Sequence, residues 1–335
     1  MSRLWRAALL AGVAFAVPAA INRAIARQKG KLLKALPGES GIYPWPMGDI
    51  YYEVRGEGPP LVLVHGIGAG NSSYEWRHNL DPLSDHFRVF VLDLPGFGKS
   101  ARPNINYTDD LMILALTDFL RDVVRQPAAL LASSLSGAYA VKLAAAHPEE
   151  IEKLVLVCPT GLRQLRLRTP VWSQMVYGTF SLPVLGLSLY NAMLSYNRMD
   201  EYLRRNLYAD PTLVTPALVE HFYVSAHQPG AQYAFRSFLA DLLNCDITPD
   251  YPKITQPILI AWGARAHMTP VENAKRFLEM NANARLRVFE NSGLLPHDEE
   301  AEIFNAETLA FLTGQERAQL PEAIGPIHPI EAQSP

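Results

Sequence analysis

A serine lies where an apolar run in the sequence gives way to a helical pattern. Ala128 to Ala132 has the character of a buried strand, and Leu135 to Ala146 favours a helix. Ser134 lies between them, and the residues two before and two after it, Ala132 and Ser136, are small. A tight strand-to-helix turn needs small neighbours there, because it strains the backbone of its central residue. Such a turn can present a serine as a nucleophile, although small residues also build ordinary turns.

Ser136 offers a second reading of the same stretch, because it also has small residues two positions before and after it. Ser134, however, follows directly on the strand-like run, where the turn must lie. Ser134 is therefore the candidate nucleophile.

A glycine-rich loop follows an earlier apolar run. Leu61 to Val64 predicts a buried parallel strand, and His65-Gly66-Ile67-Gly68-Ala69-Gly70 comes directly after it. Glycines let backbone amides point into a cleft, where they can stabilise a developing negative charge. The loop does not end in the Lys-Ser/Thr pair of a phosphate-binding P-loop, which weakens that alternative.

These motifs together resemble the α/β-hydrolase family. The turn at Ser134 is similar to the family's G-x-S-x-G-G signature, and the segment from Asp93 to Ser100 resembles its D-x-P-G-x-G-x-S loop. The resemblance implies that the backbone amides of Ile67 and Leu135 form an oxyanion hole. It also implies a structural role for His65, while Asp93 is expected to fix its own turn through backbone amides.

Two positions depart from the family pattern, and both are catalytic in the family. Where G-x-x-D places the acid, this chain has Gly263-Ala264-Arg265 followed by Ala266. Where G-H-x-P places the general base, Gly293 is followed by Leu294. A serine hydroxyl is a poor nucleophile until a base takes its proton, and loss of that base costs on the order of a million-fold in turnover. The sequence therefore predicts a degenerate triad.

Two other histidines are alternative bases. His267 directly follows the vacant acid position, and His297 lies three residues beyond the vacant base position. Either could serve Ser134 in a rewired site, or both could have structural or solvated roles.

The order of elements predicts the fold without reference to a family. Strand patterns alternate with helix patterns, which is typical of an α/β protein with a doubly wound, mainly parallel sheet. The resemblance adds an α/β-hydrolase fold with a helical cap rich in aromatic residues. The predicted boundaries are a linker over 36–47, a core over 48–160 and 251–314, a cap over 161–250 and a loosely ordered tail over 315–335, with folded structure beginning near Gly48.

The N-terminal 35 residues differ from the rest in composition. Ala7 to Ile21 carries no charge and is shorter than the roughly 20 residues that span a bilayer comfortably. Basic residues follow it directly, which favours a membrane anchor or interfacial helix on the cytoplasmic face. A cleaved signal peptide, giving a secreted or periplasmic protein, and a helix docked on the protein itself are the alternatives.

Composition restricts the remaining functions. The chain has 335 residues and a net charge of -3, so there is no basic excess for binding nucleic acid. Cys158 and Cys245 are predicted to be buried free thiols, and no metal site or organic cofactor is implied. Two hypotheses follow: a membrane-associated protein that binds a small apolar or acyl-bearing ligand, or a protein partner, without standard hydrolysis, and an active esterase-like or lipase-like serine hydrolase that uses a non-standard base.

Overall fold

The computed structural model of the chain describes residues 16–27, 30–34, 36–162 and 170–315. Its strands form one eight-stranded sheet in the order β1-β2-β4-β3-β5-β6-β7-β8. From β4 onward in this order the strands are parallel to one another, whereas β2 is antiparallel to both of its neighbours, β1 and β4. The strands are β1 (Glu39–Tyr43), β2 (Ile50–Arg55), β3 (Pro60–Val64), β4 (Arg88–Leu92), β5 (Ala128–Ser133), β6 (Ile151–Val157), β7 (Ile258–Gly263) and β8 (Ala284–Phe289).

Twelve described helices connect and cover these strands. They are α1 (16–27), α2 (Leu80–Ser84), α3 (Asp109–Phe119), α4 (Leu135–Ala146), α5 (Pro170–Ser181), α6 (Pro183–Met193), α7 (Tyr196–Tyr202), α8 (Pro216–Ala226), α9 (Ala231–Leu239), α10 (Ala274–Met280), α11 (Pro296–Glu299) and α12 (Ala301–Thr313).

The sheet separates two apolar layers. One contains the buried faces of α3, α4 and α10 together with cap residues, and the other contains those of α2 and α12. The central strands β3 and β5 are buried along their whole length. This is why their sequences are continuous apolar runs rather than alternating ones.

One predicted boundary is wrong. Residues 36–47 were expected to be a linker, with folded structure beginning near Gly48, but β1 lies within this segment and pairs with β2 along its whole length. Its side chains are mostly exposed or half-buried. An edge strand of this kind leaves little hydrophobic signal in the sequence.

The predicted cap is present as five helices, α5 to α9, between β6 and β7. Helix α1 lies against this cap, because the buried Asn22 side chain donates to the Val184 carbonyl (3.2 Å) and to Ser188 Oγ (3.0 Å). In the described part of the chain no helix is long and apolar enough to cross a bilayer. Most of the predicted uncharged run and most of the predicted tail lie outside the described residues.

Both cysteines are free and buried, as predicted.

Candidate active site

Ser134 has the strained backbone that the sequence predicts for a presented nucleophile. It follows the last residue of β5, precedes α4, and has φ 54° and ψ −121°. A residue with a side chain rarely adopts this conformation, which costs about 1–3 kcal/mol. The Ser134 amide donates to the Val157 carbonyl (2.8 Å), and its carbonyl accepts from the Gly137 amide (3.1 Å), so the turn is held on both sides.

The hydroxyls of the two neighbouring serines are buried and face other groups of the protein. The buried Ser136 hydroxyl donates to the His65 carbonyl at 2.6 Å. Ser133 is buried as well, and its hydroxyl lies beside Gly66 and the Glu75 carboxylate. Of the three serines in this turn, only Ser134 is partly exposed. This geometry favours Ser134 over Ser136 as the presented hydroxyl.

His65 has a structural environment, as the family resemblance implies. Its Nε2 accepts from the Leu94 amide at 3.0 Å, so the neutral ring carries its proton on Nδ1, which lies 2.7 Å from the Gly66 carbonyl. The ring is fully buried. His65 therefore connects the glycine-rich loop to the loop that begins at Asp93.

Asp93 fixes its turn through backbone amides, as predicted. One carboxylate oxygen accepts from the Ser73 amide (2.6 Å) and the other from the Lys99 amide (2.7 Å). Gly98 is required here, because a Cβ on it would lie 2.1 Å from the Asp93 carboxyl carbon and because its φ is +48°. The aspartate is thus a support of the loop rather than a group of the cleft.

The two expected oxyanion donors lie on the two elements that border Ser134. Leu135 is the first residue of α4, so its amide has no partner within the helix and carries the positive end of the helix dipole. Ile67 follows β3, the immediate neighbour of β5 in the sheet. The assignment of Ile67 and Leu135 as donors remains a prediction.

The two positions where the family resemblance places the acid and the base are apolar and covered. Ala266 follows β7 and is 5% exposed, and Leu294 follows β8 and is 7% exposed. Both belong to the same apolar cluster as Ile67 and Leu135. The Leu294 amide donates to the carbonyl of the cap residue Leu207 at 2.8 Å, so the cap closes over the place of the base.

The two alternative bases lie in different surroundings. His267 is exposed, whereas His297 is fully buried between Trp76, whose ring centroid lies 4.4 Å away, and Phe304. His297 Nε2 lies 3.3 Å from Glu75 Oε1. Among the described residues no hydrogen bond joins either histidine to Ser134, and neither His297 ring nitrogen meets hydrogen-bond geometry with any group.

Glu75 is the residue that sequence reasoning missed. Its Oε2 accepts from the Gly66 amide (2.9 Å) and from Asn71 Nδ2 (3.0 Å), while Oε1 faces His297. Burial alone would raise the pKa of Glu75, but contact with His297 outweighs it and lowers that pKa to about 2, with smaller effects from Ser133 and His65. A buried carboxylate therefore connects the glycine-rich loop, the turn at Ser134 and the segment after β8.

The two acidic residues after His297 already accept hydrogen bonds from other groups. Asp298 accepts two hydrogen bonds from Arg77 Nη2 at 2.7 Å. Glu299 accepts from the amides of Gly293 (2.6 Å) and Ala209 (2.7 Å), which ties the segment after β8 to the cap. Neither carboxylate is available to orient a base, because each already stabilises a loop.

A narrow gap separates the glycine-rich loop from the cap. Its volume is about 10 Å³, roughly that of one water molecule. Helices α6 and α9 close it with Tyr190, Phe235 and Phe238. A ligand larger than water can enter at this place only when these side chains or helices move.

The fold and the motifs together define the class of the protein. Residues 61–307 match the Alpha/beta hydrolase family, and the chain belongs to it.

Several curated relatives of the chain are hydrolases. It is 28% identical over 276 residues, covering 78% of this chain and 87% of the relative, to 2-hydroxy-6-oxo-6-(2'-aminophenyl)hexa-2,4-dienoic acid hydrolase of Metapseudomonas resinovorans. It is 26% identical over 274 residues, covering 79% of this chain and 98% of the relative, to pimeloyl-[acyl-carrier protein] methyl ester esterase of Vibrio cholerae. Among solved structures, a meta-cleavage product hydrolase of Pseudomonas fluorescens superposes with a TM-score of 0.68 at 26% identity, covering 83% of this chain and 99% of that one.

Proposed function

We propose that the protein binds a small apolar or acyl-bearing ligand beside Ser134 and has little or no standard hydrolase activity. One observation carries this proposal: apolar, covered residues, Ala266 and Leu294, occupy the places where the family resemblance puts the acid and the base. A serine without a base is not activated, while the oxyanion donors can still orient a carbonyl group.

The class of ligand follows from the relatives and from the lining of the site. The relatives named above act on a dienoic acid and on a methyl ester, so both substrates contain a carbonyl group. Ile67, Leu135 and Leu294 belong to one apolar core cluster, and Leu135 directly follows Ser134, which favours an apolar group next to that carbonyl. We also propose that residues 1–35 attach the protein to a membrane, with the cytoplasmic face favoured.

A fluorophosphonate probe tests the loss of nucleophilic chemistry. We expect the purified wild-type protein to react no faster than Ser134→Ala, because no base takes the serine proton. Labelling that is present in the wild type and absent in Ser134→Ala would refute this proposal.

Binding is tested separately from chemistry. Displacement of a dansylated undecanoic acid by methyl octanoate should follow a saturating curve in the wild type. We expect Leu294→Glu to weaken this binding by about tenfold or more, because it brings a charge into an apolar site. Leu213→Glu is the matched control, because Leu213 is 43% exposed on the cap. Equal affinities for the wild type and Leu294→Glu would move the ligand away from Ser134.

The second candidate is an active serine hydrolase with His297 as base. The observation that favours it is the Glu75–His297 pair, because a carboxylate beside an imidazole is the arrangement that orients a catalytic histidine. Burial of His297 against Trp76 and Phe304 argues for a structural role instead. Under this alternative, Ser134-dependent labelling occurs and disappears in His297→Ala.

A further inference from the structure

An uncharged, exposed apolar surface lies on the cap and on α1. We define the cap face by Val171, Trp172 and Met175 on α5, Leu185 and Leu189 on α6, and Val17 and Ile21 on α1, whose exposed fractions lie between 36% and 65%. None of the residues of α5 is buried. Exposed apolar side chains that are grouped in this way mark an interaction surface.

The sequence of this surface has a neutral centre and basic flanks. Thr169 to Asn197 contains no charged residue, and its described part, from Pro170, forms α5, α6 and the beginning of α7 in the cap. Arg168 precedes this stretch, and Arg198 follows it, with Asp200 and Glu201 two and three residues further on. On the other side, residues 16–34 contain basic residues and no acidic one. Apolar surface beside basic residues is the composition of a segment that lies in the interface of an anionic bilayer.

Polar contacts hold the three helices together as one surface. Asn22 on α1 is only 5% exposed, and both its side-chain oxygen and its side-chain nitrogen form hydrogen bonds to α6. Asn191 Nδ2 donates to Asn22 Oδ1 at 2.9 Å, and Asn22 Nδ2 donates to Ser188 Oγ. Helices α5 and α6 pack closely at Gly186, where a Cβ would lie 2.3 Å from the Phe180 carbonyl oxygen. Val17 and Ile21, within one and a half turns of Asn22, thus lie on a helix that is fixed to α6.

We infer that the cap face docks on the surface of a lipid bilayer that contains anionic lipids. The apolar side chains of α5, α6 and α1 enter the boundary between headgroups and acyl chains, and basic residues such as Arg23 and Arg27 contact the headgroups. Both arginines are exposed, and they lie on the same helix as Val17 and Ile21. Membrane contact is thus made by the folded cap and not by the N-terminal segment alone.

The same helix also borders the gap beside the glycine-rich loop. One side of α6 presents Leu185 and Leu189 to the outside, and the other side places the buried Tyr190 in the gap beside the glycine-rich loop. A bilayer that holds α6 from outside therefore acts on the side chain that closes the gap. This inference rests on the proposed membrane attachment and deepens it.

Fluorescence of Trp172 tests the inference directly. The described tryptophans Trp45, Trp76 and Trp262 are at most 4% exposed, whereas Trp172 is 49% exposed. We expect vesicles of phosphatidylcholine and phosphatidylglycerol with brominated acyl chains to quench Trp172 in the full chain carrying Trp5→Phe. This quenching should be absent when Trp172→Phe is added. Binding to vesicles without quenching of Trp172 would overturn the inference and leave attachment to the N-terminal segment.

A quadruple variant gives the second measurement. Trp172→Ser, Met175→Ser, Leu185→Ser and Leu189→Ser together should lower the vesicle partition coefficient by roughly tenfold or more. The matched control changes equally exposed apolar residues far from these helices in sequence, Leu114, Leu213, Met268 and Ile303, to serine. Equal losses of vesicle partitioning in both variants would refute a specific face. If the wild type forms a stable dimer and the cap-face variant is monomeric, the face binds a second copy of the chain instead of a bilayer. Ligand displacement without vesicles tests the proposed ligand site independently.

Discussion

At the scale of single residues, we propose that the chain presents the hydroxyl of Ser134 without activating it. Ser134 has the backbone of a presented hydroxyl, and Gly66, His65 and Glu75 support the loops around it. Ala266 and Leu294 supply no proton acceptor. The supporting residues are polar and buried, so each of them contributes to stability whether or not Ser134 reacts.

Glu75→Gln tests the buried pair. The pKa of Glu75 is lowered from 4.5 to about 2, so its charge stabilises the folded state above pH 4.5 and this contribution disappears as the pH falls towards 2. We expect the variant to lose about 3 kcal/mol of unfolding free energy at neutral pH. Urea unfolding should find a smaller deficit at lower pH. Asp81→Asn, at an exposed carboxylate, is the control, and a deficit that stays constant down to pH 2 would contradict this assignment.

Ser134→Gly tests the strain at the turn. Glycine adopts φ 54°, ψ −121° without a clash, whereas alanine retains the strain of about 1–3 kcal/mol. Glycine also costs roughly 0.5–1 kcal/mol through the entropy of the unfolded chain. We therefore expect Ser134→Gly to unfold at a higher temperature than Ser134→Ala in calorimetry. A lower temperature would mean that the turn carries no such strain.

At the scale of elements, parallel strands bring the separate motifs to one edge of the sheet. The loops after β3 and β5 carry the expected oxyanion donors and Ser134, and the segments after β7 and β8 carry Ala266 and Leu294. The sequence predicts this arrangement because each motif follows an apolar run of strand length. It does not predict Glu75, because a glutamate in a short 3-10 turn between an apolar loop and a tryptophan has no periodic signature.

Restoring the family's acid and base tests the reading of these two segments. Ala266→Asp combined with Leu294→His should produce Ser134-dependent ester hydrolysis, since general acid–base catalysis contributes about 10²- to 10⁴-fold. The single variant Ala266→Asp is the control, because an acid without a histidine has nothing to orient. A folded double variant without any gain in ester hydrolysis would mean that these positions do not face Ser134.

At the scale of the whole molecule, the fold was predictable and its edges were not. Buried parallel strands and amphipathic helices leave strong patterns, so the doubly wound sheet and the cap follow from the sequence. Strand β1 was missed because an exposed edge strand near prolines resembles a linker. The buried side chain of Asn22 contributes to the docking of α1, and its partners lie more than 160 residues away in the sequence. Contacts of this kind have no local signal.

The whole molecule is then a hydrolase fold whose cap connects two surfaces. Its inner side contacts the segment after β8 through the hydrogen bond from the Leu294 amide to the Leu207 carbonyl, and its outer side is the uncharged cap face. A binding protein that takes its ligand from a membrane uses both surfaces, whereas catalysis in addition needs a base.

The most direct test of this account is steady-state hydrolysis of p-nitrophenyl butyrate by wild-type protein and by Ser134→Ala at equal concentrations and neutral pH. We predict equal rates, because without a base the serine contributes no turnover above that of the binding site. A wild-type rate roughly tenfold or more above that of Ser134→Ala would contradict the account, and loss of that rate in His297→Ala would identify His297 as the base.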